Sequence, residues 1–234
     1  MRRSSALLLG ALLLAVAACS DVSSDKVTTG DLDVTMLLTA DGDGIKVSVT
    51  LLQNFHTVVG LSPGDELVAS SGGDSTTLSG ADGHYNGRLD VAPEPGTEVT
   101  VALNREAADD APSSTATLPE PVQILSPAPR ASFNPDDELV ITVDDAPGDL
   151  HVTWTGSCVQ VGDDIDRQAT ISGSTITLPA KAVQHSETQA KTCLVVFNVT
   201  RDHEGTVDDA FDKGSIAGRQ HLELPLRLRQ RDSA

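Results

Sequence analysis

Between residues 31 and 229 apolar and polar side chains alternate in short runs. Ile45, Val47, Val49 and Leu51 are separated by Lys46, Ser48 and Thr50. A period of two places the apolar set on one face of an extended strand. Leu32 to Ala40 is a further apolar and Thr-rich run, joined to the first by Asp41-Gly42-Asp43-Gly44. Two such runs around Asp-Gly chemistry predict a β-hairpin. Further strands are expected near Glu66–Ser70, Ser75–Leu78, Tyr85–Val91, Val99–Asn104 and Ser114–Leu118, punctuated by Asp82-Gly83 and Pro93-Glu94-Pro95-Gly96. Short strands at this spacing predict a β-sandwich.

Pro119, Pro121, Pro127 and Pro129 then interrupt the pattern. Such a segment cannot sit in a central strand, so it marks a domain boundary, with Val122–Leu125 as the first edge strand beyond it. Strands are expected next at Glu138–Val143, Leu150–Thr155, Gln168–Ser172, Thr175–Leu178, Cys193–Thr200 and Gln220–Leu228. Ala180 to Lys191 is the one stretch expected to hold a helical turn. Asp202–Gln220, with Gly205, Gly214 and Gly218, reads as a long loop whose Phe211 plugs back into the core. The expected fold class is all-β, with two tandem β-sandwich domains at residues 31–118 and 119–229 and a tail at 230–234.

Composition narrows the core and the partners. Aromatics are only 3% of the chain, so Val, Leu, Ile and Ala must fill the interior. The formal net charge is −18. No basic patch is visible, and nucleic acid is excluded as an expected partner. Arg227, Arg229 and Arg231 are expected to face outward from a last strand and tail.

The first residues differ from the rest. Met1, Arg2 and Arg3 precede a 13-residue apolar run, Ala6 to Ala18. As a helix it would reach about 20 Å at about 1.5 Å per residue, short of a ~30 Å hydrocarbon core. That length suits a secretory leader over residues 1–18. The run ends in Val16-Ala17-Ala18-Cys19-Ser20, which resembles the lipobox of bacterial lipoproteins. The resemblance implies cleavage before Cys19, a diacylglycerol on its sulfur, and an acyl chain such as palmitate on the new N-terminus. Membrane lipid is then a partner through acylated Cys19. Ser20, rather than Asp, implies the outer membrane if the cell is Gram-negative. Residues 19–30, polar and Ser/Thr/Asp-rich, are expected to form a flexible tether.

With Cys19 given to lipid, Cys158 and Cys193 remain as an even pair in an oxidising compartment, where a disulfide is expected. The second domain resembles bacterial immunoglobulin-like or fibronectin-III-like modules, on strand spacing and on Trp154. In such a sandwich the third and sixth strands are antiparallel neighbours. Cys158, just past the Trp154 strand, would then lie beside Cys193 at the start of a later one. The chain departs from antibody domains in two respects: both cysteines follow the tryptophan, and Lys191 stands where a tyrosine corner would be. A reactive cysteine beside His185 is the rival reading.

The search for chemistry yields no assigned catalytic residue, metal site or cofactor. Asp41-Gly42-Asp43-Gly44 begins like a calcium loop, but Ile45 and Leu52 occupy ligand positions of that pattern. Asp163, Asp164 and Asp166, and Asp208, Asp209 and Asp212, read as solvated acidic loops. Asp202-His203-Glu204 sends neighbours to opposite strand faces, which is wrong for convergent zinc ligands. There is no Gly-x-Ser-x-Gly elbow. The expectation is a non-catalytic cell-envelope lipoprotein that binds, adheres or assembles, with an envelope protein or glycan as partner. The alternatives are an accessory subunit of an envelope transport or hydrolase system and a polysaccharide-acting enzyme.

Overall fold

The computed structural model describes residues 22–159, 169–184 and 192–229. The first part holds β1 (Val22–Ser23), β2 (Leu32–Asp41), β3 (Gly44–Gln53), β4 (Thr57–Gly60), β5 (Glu66–Ser71), β6 (Asp74–Thr77), β7 (Ser79–Ala81), β8 (His84–Leu89), β9 (Glu98–Asn104) and β10 (Ala111–Thr117). The second holds β11 (Ile124–Ser126), β12 (Ser132–Phe133), β13 (Leu139–Val143), β14 (Asp149–Gly156), β15 (Thr170–Ser172), β16 (Thr175–Leu178), β17 (Thr192–Glu204) and β18 (Lys213–Arg229). The chain is all-β, with two short 3-10 turns at Ser24–Lys26 and Thr29–Asp31 among the described residues.

Alternation does what its period requires. Val34, Met36 and Leu38 of β2 and Ile45, Val47, Val49 and Leu51 of β3 are all buried. They pack against Leu67 and Ala69 of β5, Val99, Val101 and Leu103 of β9, and Ala116 of β10. The hairpin closes with Asp41 opposite Gly44. One sheet of this sandwich is β10-β9-β5-β6. In the second sandwich the order β11-β13-β16-β15 faces β14-β17-β18, and β12 pairs parallel to β18. That is the A-B-E-D over C-F-G arrangement of an immunoglobulin-like domain. Its core is built on Trp154, Phe197, Ile141, Ile176, Val195, Leu224 and Leu226.

The two sandwiches share a strand. β18 pairs parallel with β2 over Lys213–Arg219 and antiparallel with β17 over Ala217–Arg229. Ile216 is buried in the first core, whereas Leu224, Leu226 and Leu228 are buried in the second. The long loop expected over Asp202–Gln220 is therefore corrected. β17 runs on to Glu204 and β18 begins at Lys213, leaving a short connection from which Phe211, 6% exposed, enters the first core. The glycines that suggested a loop serve close approach instead. A Cβ at Gly205 or Gly218 would stand 2.1 Å from the carbonyl oxygen of Thr115 or Thr117, so only glycine lets β10 cross this seam.

The flexible tether expected over residues 19–30 is also corrected, for residues 22–30. Val22 and Ser23 pair parallel with Val59 and Gly60. Val27 and the side chains of Ser24 and Thr29 are buried. The cause is Arg105, whose side chain has no exposure. It donates to the Thr29 hydroxyl at 2.9 Å, to the carbonyls of Val27 at 2.9 Å and of Ser24, and pairs with Asp65 at 3.4 Å. Asp65 in turn accepts from the Ser24 hydroxyl at 2.7 Å. A buried guanidinium must find acceptors, and it finds them in this segment.

Candidate functional site

Cys19 lies outside the described residues, as do His185 and the Asp163, Asp164 and Asp166 cluster. Cys158 and Cys193 form a disulfide with their Cα atoms 6.0 Å apart. β14 and β17 position it: they pair antiparallel, with Gly156 opposite Val195, so the end of one lies beside the start of the other. Closing a loop of this size contributes roughly 3–4 kcal/mol in the chain-entropy model. The bond leaves neither sulfur free for the rival reading of a reactive thiol.

Asp41, Asp43, Asp202 and Asp208 of the acidic candidates are tied to neighbours within the protein. Arg88 bridges Asp41 and Asp43 of the first hairpin at 3.1 and 2.6 Å. Asp208 accepts from the hydroxyl and amide of Ser113 at 2.7 and 2.8 Å and from the amide of Ala210 at 2.9 Å. These bonds, the Ser113 hydroxyl first, hold its carboxyl below the ordinary carboxylate range. Asp202 and His203 diverge as strand neighbours must. Asp202 takes Arg219, and the ring of His203 meets the Thr117 hydroxyl at 2.9 Å. Among the described residues no three His, Cys, Asp or Glu side chains converge as metal ligands.

A groove of about 640 Å³ lies at the junction of the sandwiches. β14 contributes Asp149, Leu150 and His151, the end of β17 Asp202 and Glu204, and the start of β18 Ser215 and Ile216. Ile171, beside the turn that follows β15, adds an apolar wall. Asp149, Asp202 and Arg219 stand in one cross-strand row. Arg219 donates to both oxygens of Asp202 at 2.7 and 2.6 Å, and this pairing raises the arginine's own pKa. His151 Nε2 lies 3.8 Å from the same carboxylate. An aspartate held bidentately by arginine has both oxygens engaged and is poorly placed to take a substrate proton. The arrangement sets the carboxylates of Asp149, Asp202 and Glu204 beside the apolar wall of Ile171.

No protein-family model matches the chain, and no curated protein sequence matches it. Among solved structures, the N-terminal Ig1-2 module of the Drosophila receptor protein tyrosine phosphatase DLAR is 9% identical. The match covers 86% of this chain and 96% of that one, with a TM-score of 0.33. Fibronectin(III)-like modules of Clostridium thermocellum CbhA are 13% identical over 85% of this chain and 94% of that one, with a TM-score of 0.26. Scores this low carry no weight beside the strand pairing seen in the chain itself.

The groove was not legible in the sequence. Its residues come from four separated segments, three of them gathered by the register of β14, β17 and β18 and the fourth, at β15, by the facing sheet. Nor did any signal mark Arg105 and Arg201 as buried, because arginine is ordinarily a surface residue.

Proposed function

We propose that this chain is an exported, lipid-anchored envelope protein whose joined sandwiches form a recognition body rather than a catalyst. The observation that carries export is the Cys158–Cys193 disulfide, a bond that persists in oxidising compartments. The lipobox-like Val16-Ala17-Ala18-Cys19-Ser20 supports the anchor. Two or three acyl chains bind a bilayer stably where one does not. The groove at the junction supports recognition. Its acidic lining suits a segment carrying positive charge, and its described lining residues include no Phe, Tyr or Trp ring on which a sugar could stack, which favours a protein partner over a glycan.

The test is fractionation of cells expressing the full chain and its Cys19→Ala variant. The parent is expected with the membranes and the variant in the soluble extracytoplasmic fraction. Retention of the variant on membranes rejects the anchor. The variant is expected to show no titratable thiol until reduced; two free thiols in the unreduced protein reject the export argument.

A further inference from the structure

The corrected tether fixes which end of the molecule the anchor serves. β1 pairs parallel with β4, Val22 opposite Val59. The chain preceding Val22 therefore departs at the end where β4 begins, beside the turn that joins Gln53 to Thr57. Cys19 is three residues from Val22, at most about 11 Å in any conformation. From Val22 onward there is no slack. Ser23 bonds Ser62 through their hydroxyls at 2.7 Å, and Arg105 holds the carbonyls of Ser24 and Val27. A sandwich fixed this close to its attachment point cannot drift off a membrane to which Cys19 is joined.

The turn at that end carries an exposed aromatic ring. Phe55 is 59% exposed. Asn54 and Phe55 both adopt positive φ, 53° and 63°, a backbone region costly for residues other than glycine. The Phe55 amide donates to the buried Asp33 carboxylate at 2.7 Å, which holds the turn in place. Lys213, at the start of β18, sets its ammonium 4.8 Å from the centre of the ring. A ring displayed on a strained backbone and flanked by a lysine has the chemistry of an interfacial anchor. The apolar ring suits the boundary between headgroups and acyl chains, and the ammonium can reach lipid phosphate.

We propose that the Asn54–Phe55 turn and Lys213 form the membrane-contacting pole of the protein, pressed into the bilayer interface beside acylated Cys19. The proposal rests on the lipid-anchor reading. The occupant is the lipid headgroup layer. Asp31, Asp82 and Asp212 sit at the same end of the first sandwich, so attraction to anionic lipid is not the driving force and a zwitterionic surface suffices. The second sandwich, with its disulfide, then projects away from the membrane, and the groove between the two stands clear of the lipid.

The experiment uses the acylated protein purified from membranes and reconstituted into phosphatidylcholine vesicles, with and without brominated lipid. The chain has one tryptophan, Trp154, buried in the second sandwich. In a Trp154→Phe background, Phe55→Trp places a probe at the pole and Leu125→Trp a control on the exposed face of β11. The pole probe is expected to lose most of its emission to brominated lipid and to shift to the blue, while the control keeps its emission. Equal, weak quenching of both probes in vesicle-bound protein overturns the orientation and leaves the anchor standing. Protein that carries no acyl group and stays off the vesicles overturns both. If Trp154→Phe impairs folding, the same pair is compared with Trp154 retained as a constant, shielded background.

Discussion

Arg201 lies on the inner face of β17 with no exposed side chain, and its guanidinium reaches the Asp144 carboxylate at 2.9 and 3.2 Å. It also donates to the carbonyls of Glu120 and Pro121 at 3.2 Å, so it binds the proline-rich connection to the second sandwich. Burial alone would raise the pKa of Asp144. The hydrogen bond from Arg201, that from the Gln123 amide and the arginine's charge outweigh it, and the net shift is downward. A lowered folded-state pKa contributes stability that is full above the unfolded value of about 3.9 and is lost as pH falls through the folded value. Arg201→Met keeps volume but strands Asp144, and should cost about 3 kcal/mol at neutral pH. Asp144→Asn should also destabilise at neutral pH and should flatten the loss of stability below about pH 4. Urea midpoints measured across pH check both; an unchanged acid limb in Asp144→Asn removes this pair as its source.

Elements were more legible than the residues that lock them. Period-two alternation located β2, β3, β5, β9, β13, β14, β16 and most of β17 from the sequence. It failed at β1, β4, β7 and β12, which are short, and at the first half of β18. There Lys213, Gly214, Ser215 and Gly218 look like loop residues, and two of them are glycine because the strand runs too close to Val34 and β10 for a Cβ at those positions. Ile216 is the residue of that half that commits it to the first core, where it is 2% exposed. Ile216→Ala should cost about 2–4 kcal/mol. Gly218→Ala should destabilise as well, because its methyl would meet the Thr117 carbonyl. Chemical denaturation of each variant measures this. Neutral outcomes at both positions would mean that β18 does not support the first sandwich.

At the scale of the whole molecule, the shared strand makes one cooperative unit of what reads along the chain as two domains. Nature has placed one reporter in each core. The only tyrosine, Tyr85, is buried in the first, with its hydroxyl accepting from the Leu61 amide at 2.7 Å, and Trp154 is buried in the second. Their unfolding transitions should coincide. Reducing Cys158–Cys193 should shift both together, by the roughly 3–4 kcal/mol expected of such a loop. Separated midpoints in equilibrium fluorescence would show instead that the sandwiches unfold independently.

The parallel partnership of Asp33 with Lys213 also orders events in time. A polypeptide that emerges start-first cannot complete its leading sandwich until Lys213–Arg219, 180 residues beyond their partners in β2, have appeared. Distant pairing of this kind is slow to form. The early portion thus stays pliable as it emerges, and it closes only once the first half of β18 has followed.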